Sequence, residues 1–170
     1  NIGDGDMNNP NSAVVLNLTM PDNFTAGETY TLTLNISGGP NDIAPMENGP
    51  NMGGFMLKVS TGTLTPIDDN VWKPEDSSYL THTGGEEGQN GDGNNLREWS
   101  FNWTAPDSDS VVAEFMVYGN SVNGNAYEES GGMGNSGDYW NTGVFLLAGQ
   151  NAQIADGSDY GELSGPKKII

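Results

Sequence analysis

The chain has 170 residues, a formal net charge of −18, no cysteine and only five Lys or Arg. That length is one domain with enough chain to bury a core. The charge leaves no basic patch for nucleic acid or anionic lipid, and the lack of Cys excludes disulfides, thiolate metal sites and thioether-linked haem.

Residues 1–11 read as a tail, and no run of about 18 apolar residues follows anywhere. No signal peptide precedes Asn1, so the chain is expected to begin as a processed protein does. "SAVVLNLTM" (12–20) and "ETYTLTLNIS" (28–37) alternate apolar residues with Thr and Asn, the period of a half-buried strand. "GGFMLKVSTG" (53–62) puts Phe55, Leu57 and Val59 on one face and Met56 and Lys58 on the other. A short strand is expected at 79–83. "REWSFNWTAP" (97–106) turns Trp99, Phe101 and Trp103 inward and Ser100, Asn102 and Thr104 outward. "VVAEFMVYGNS" (111–121) and "TGVFLLAG" (142–149) add two strands, a short one lies near 152–155, and 156–170 reads as a second tail.

Between the runs lie Gly, Pro, Asn and Asp clusters such as "GEEGQNGDGNN", which supply turn geometries. No amphipathic helix interrupts them. The pattern predicts one all-β domain over 1–170: an immunoglobulin-like antiparallel β-sandwich of about 7–9 strands with its core at about 13–155. Phe55, Leu57, Trp99, Phe101, Trp103, Phe115, Val117 and Phe145 are its expected interior, with Trp99 and Trp103 structural rather than a binding platform.

Six segments occur in order: "MPDNFTAGETYTLTLNIS", "GGFMLKVSTGTL", "YLTHT", "REWSFNWTAP", "YGNSVNGNAYEESG" and "GDYWNT". Over about residues 13–148 this series resembles the Reeler-type (reelin N-terminal-like) sandwich domain and, more closely, its prokaryotic relative, the choice-of-anchor V domain. The resemblance implies an extracellular or surface-tethered module with no established catalytic role. Two features depart from the family. Its upstream haem-attachment Cys-His motif is missing, and the chain stops at "SGPKKII" without an apolar span. Either both flanks were processed away or this version is released or assembled by another route.

His82 is the only histidine and sits in the "THT" strand, which belongs to the family pattern. Metal or haem ligation and catalysis are open to it, but no nucleophile or second acid–base partner stands nearby in sequence. The expected role is structural: a buried ring bonded to backbone or loop oxygens.

Alternate oxygen ligands on a Gly-loosened loop are how calcium loops begin, because Ca²⁺ takes six to eight oxygens at flexible angles. Asp4, Asp6 and Asn8 have that spacing, as do Asn90, Asp92 and Asn94. Asp138, with Glu128 and Glu129, is a further source if the loops meet at one end. Neither triplet continues into an EF-hand, so solvated turns are the competing reading. Sequons begin at Asn17, Asn23, Asn35 and Asn102. Chance supplies sequons in a chain this rich in Asn, Ser and Thr; what carries weight is that Asn17, Asn35 and Asn102 fall on the outward face.

The leading expectation is a non-catalytic extracellular or cell-surface structural or interaction module. It would associate with copies of itself or other surface proteins, as a filament or surface-layer subunit joined by terminal-strand addition and calcium. "SAVVLNL" with the N-terminal tail, or Ile169 and Ile170, would supply the strand. The alternative is a ligand-binding or redox-accessory module serving a carbohydrate or a partner haem protein, which would show a concave aromatic pocket.

Overall fold

The structure, a computed structural model, describes residues 10–39, 52–83, 97–122, 139–153 and 167–169. Ten strands form among them: β1 (Val14–Thr19), β2 (Thr29–Gly38), β3 (Met52–Val59), β4 (Thr63–Pro66), β5 (Val71–Trp72), β6 (Tyr79–His82), β7 (Arg97–Thr104), β8 (Val112–Val122), β9 (Tyr139–Ala148) and β10 (Lys167–Ile169). They make two antiparallel sheets, a four-stranded one ordered β1-β2-β7-β4 and a six-stranded one ordered β10-β9-β8-β3-β6-β5. The fold is an all-β sandwich, as the alternation predicts. Among the described residues no helix is long and apolar enough to cross a membrane.

Alternation decides what lies between the sheets. Val14, Leu16 and Leu18 of β1 and Leu32, Leu34 and Ile36 of β2 are buried, while Val15, Asn17, Thr33 and Asn35 between them face out. All eight expected interior residues are buried. Trp103 is wedged edge-on between Phe24, at 5.1 Å and 89°, and Phe115 of the opposite sheet, at 5.3 Å and 71°. Trp99 meets Phe55 of the opposite sheet at 5.0 Å. Offset and edge-to-face contacts suit the ring quadrupoles and add about 0.5–1.5 kcal/mol each beyond area burial.

The two tryptophans differ in their polar atom. Trp103 Nε1 donates to the Thr61 carbonyl at 3.0 Å, and the ring lies so close to the β3–β4 turn that a Cβ on Gly62 would come 2.4 Å from Nε1. Gly62 also has φ +81°, so the turn needs glycine twice over. Trp99 Nε1 is buried with no hydrogen-bond partner among the described residues.

Three strands fall where the sequence reading left loop or tail. β4 is four residues long, ends in Pro66 and lies at a sheet edge, where proline is tolerated. β5 has two residues, too few to show a period. The segment read as the C-terminal tail contributes β10, which pairs with Val144–Leu146 of its own chain. Ala152 and Gln153 are not in a strand, and residues 154–155 lie outside the described set.

Replacing either tryptophan by Phe removes the same volume but different hydrogen bonds. Trp103→Phe is expected to destabilise the protein by about 1–3 kcal/mol more than Trp99→Phe, because only the former strands a bonded carbonyl. Urea denaturation of the two variants measures the difference. Trp103→Ala, which empties the site, is expected to cost about 3–5 kcal/mol.

Candidate functional site

β6 stops pairing with β3 at Thr81 and Met56, and the side chains around this point take over the ladder. The next donor on β3, the Phe55 N–H, gives its hydrogen to His82 Nδ1 at 3.1 Å. Thr81 Oγ1 donates to the Phe55 carbonyl at 2.6 Å, and Thr83 Oγ1 donates to the Asp69 carbonyl at 2.8 Å. The same Nδ1 lies 3.3 Å from the Phe55 carbonyl oxygen and 3.3 Å from Thr81 Oγ1, so one ring nitrogen stands in for the missing strand partner. The imidazole lies flat on Gly54, where a Cβ would come 2.5 Å from Cε1. Each residue of the "THT" segment thus closes a strand end. His82 is half-buried rather than fully buried, because its strand sits near the edge of the six-stranded sheet.

One end of the sandwich gathers the residues that flank the long inserted segments. Gly38, Met52, His82, Arg97, Val122 and Tyr139 are the strand termini there. The two sheets are stitched at this end by Ser121 Oγ donating to the Gly38 carbonyl at 2.9 Å and Asn141 Nδ2 donating to the Val14 carbonyl at 2.7 Å. The intervening segments 40–51, 84–96 and 123–138, together with 1–9, carry acidic residues at 4, 6, 42, 47, 86, 87, 92, 128, 129 and 138 and no Lys or Arg. The calcium candidates Asp4, Asp6, Asn8, Asn90, Asp92, Asn94 and Asp138, with Glu128 and Glu129, lie outside the described residues. Among the described residues no three His, Cys, Asp or Glu side chains are grouped to hold a metal.

The two outer faces differ in chemistry. On the four-stranded sheet, Thr29 and Thr104 hydroxyls share a bond at 2.9 Å, Thr31 donates to Asn102 Oδ1 at 2.9 Å, and Thr33 and Ser100 share one at 3.0 Å. The sequon residues Asn17, Asn35 and Asn102 sit on this face, with Asn17 directly opposite Asn35. Asn23 is exposed in the β1–β2 turn. The six-stranded sheet instead turns Trp72, Tyr79, Met56, Met116, Tyr118 and Val144 outward, with Tyr118 48% and Trp72 54% exposed. Alternation places Met56 and Lys58 on this face but does not foretell its aromatic and aliphatic neighbours. The signal was the unbroken apolar run in β8 and β9, which strict alternation would not produce.

Two outcomes follow. His82→Leu, which strands the Phe55 N–H, is expected to lower stability by about 1 kcal/mol or more, while His82→Asn, whose Oδ1 can accept it, loses less; chemical denaturation compares them. Cβ atoms of directly opposed residues are about 5 Å apart, too close for two glycans. Glycopeptide mapping of material from a glycosylating host is therefore expected to find sugar on Asn23 and on at most one of Asn17 and Asn35 in any molecule.

No protein-family model and no curated protein matches the chain. Among solved structures it is similar to the reeler domain of human F-spondin, with 14% identity and a TM-score of 0.42 over 82% of this chain and 93% of that one. It is similar as well to the Reelin-N domain of F-spondin, with 13% identity and a TM-score of 0.42 over 83% and 88% of the two chains. A further likeness, at 11% identity and a TM-score of 0.36 over 85% of this chain and 93% of the other, is to AvmM, which catalyses macrocyclization in alchivemycin A biosynthesis. Reeler domains are therefore among the solved structures to which this sandwich is similar.

Proposed function

We propose that this chain is a non-catalytic structural and interaction module of the cell exterior, and that it associates with copies of itself as a filament or surface-layer subunit. The observation that carries this reading is the opposition of the two outer faces. One is a lattice of mutually bonded hydroxyls and amides. The other exposes Trp72 and Tyr118 beside the half-buried Met56, Tyr79, Met116 and Val144, the mark of a contact surface. An exterior location is supported by the resemblance over residues 13–148 and by sequons on the polar face.

Calcium enters the proposal at the acidic end. Segments 1–9, 40–51, 84–96 and 123–138 hold ten carboxylates and no Lys or Arg, and a divalent ion binds several such oxygens at once. Asp4, Asp6, Asn8, Asn90, Asp92, Asn94 and Asp138 are its proposed ligands. Strand addition is narrowed by the fold: Val14–Thr19 and Lys167–Ile169 already pair within the chain as β1 and β10. The N-terminal tail is then the better donor to a neighbour.

Light scattering of the purified chain in millimolar calcium, then in chelator, tests the association beside a version lacking residues 1–11. The expected result is a mass that rises with calcium and falls on chelation, with a smaller response in the shortened chain. Monomers under every condition, with stability unchanged by chelator, would overturn self-association. Antibody labelling of intact producing cells tests the location independently.

A further inference from the structure

We infer that the outer face of the six-stranded sheet is a homotypic docking surface on which a second copy of this chain packs sheet against sheet. This names the contact for the self-association proposed above and rests on that reading.

An antiparallel sheet with one solvated face alternates apolar-in with polar-out. β2 and β7 follow that rule and β1 departs from it only at Val15, whereas β3, β8 and β9 place several apolar residues on the outer side. The outward apolar residues fall in two neighbouring rows, with Thr81, Thr142 and Lys58 among them. Cross-strand register lines up Trp72, Thr81, Met56, Tyr118 and Thr142 in one row. The adjacent row runs Tyr79, Lys58, Met116 and Val144, and continues to the position of Ile169 on β10. Scattered exposed hydrophobes need no explanation, but neighbouring rows across six strands do.

Charge selects the occupant. The chain carries −18, yet this face includes few charges: Lys58 and Glu114 among the described side chains, and the β10 position of Lys167 at the end of the Glu114 row. A strongly basic partner finds almost nothing to pair with here, and a strongly acidic one is repelled by the surrounding molecule. A second copy offers the same neutral, apolar surface and keeps the two −18 bodies on opposite sides of the contact. Lys58 and Glu114 flank the β3–β8 seam one row apart, because Lys58 pairs with Met116. A two-fold axis along that seam lays β3 over β8 of the second copy and brings Lys58 within one row of its Glu114. In the single chain the Lys58 ammonium instead rests 6.0 Å from the Tyr79 ring centroid.

The size fits as well. Six strands at about 4.8 Å spacing by four outward rows at about 7 Å make at most about 800 Å² in plan, and less where the short strands β5, β6 and β10 carry fewer rows. A stable interface buries about 800 Å² per partner.

Sedimentation velocity of the full chain across a concentration series tests the contact. The expected result is a dimer that dissociates on dilution. Tyr118→Thr with Met116→Thr, which leaves charge and strand propensity intact, is expected to weaken it at least 100-fold, and Thr31→Val on the opposite sheet to leave it unchanged. Lys58→Glu should weaken the dimer, and adding Glu114→Lys should restore it. That charge pair reads the same contact should the double Thr variant fail a circular-dichroism melt. A wild-type oligomer untouched by these changes overturns this assignment and leaves self-association standing. A wild-type chain that stays monomeric with and without calcium overturns both.

Discussion

The seating of Trp103 between Phe24 and Phe115 fixes one sheet on the other, and much of the molecule is arranged around it. Burying its N–H requires an acceptor, which is the Thr61 carbonyl, and that bond holds the β3–β4 turn over the ring. Phe24 is locked in turn. Its N–H donates to the Ala148 carbonyl at 3.0 Å, and its own carbonyl accepts from Gln150 N–H at 2.9 Å. The β1–β2 connection is thereby tied to the end of β9, in the other sheet. Tyr30 stacks on the same indole at 6.1 Å, and its hydroxyl accepts the Thr25 N–H at 2.8 Å. One aromatic side chain thus sets three connections at this end of the sandwich.

The opposite end is built on another principle. There the sheets are joined by small polar links, Ser121 to Gly38 and Asn141 to Val14, with the His82 ring closing the β3–β6 ladder. These bonds secure strand termini without filling the space beyond them. Long insertions can then be attached where the core is already closed, which is the usual division between scaffold and variable segment. Every acidic candidate read from the sequence belongs to a segment attached at this end or to the N-terminal tail.

How much was legible follows from period and length. Strands of six or more residues whose inward positions alternate with mostly polar or charged ones announce themselves, so β1, β2 and β7, and the Phe55, Leu57 and Val59 face of β3, could be read directly. β4, β5 and β10 have four, two and three residues, which is less than the pattern needs, and their pairing is decided by the neighbouring strand. β8 and β9 were legible as strands, but not their outward apolar side, because an unbroken apolar run does not say which face meets a second layer. His82 was legible only in part: the resemblance suggested a structural role, while its exchange of a ladder bond for a ring nitrogen depends on where β6 ends. The calcium candidates rest on spacing within turn segments, and no strand period disciplines such segments.

The same asymmetry explains how so acidic a chain can meet another copy. Like charges a few ångströms apart repel by about 1 kcal/mol per pair even in water, and salt relieves this chiefly beyond the Debye length of about 8–10 Å. A contact through the acidic end therefore needs cations, and its strength must track their concentration. A contact through the outer face of β3, β8 and β9 needs none, since apolar burial there at about 25 cal/mol per Å² opposes only the distant repulsion of the two bodies. The proposed calcium response and the proposed sheet contact are thus separable by physics: one is governed by divalent ions, the other strengthens as monovalent salt screens the long-range charge.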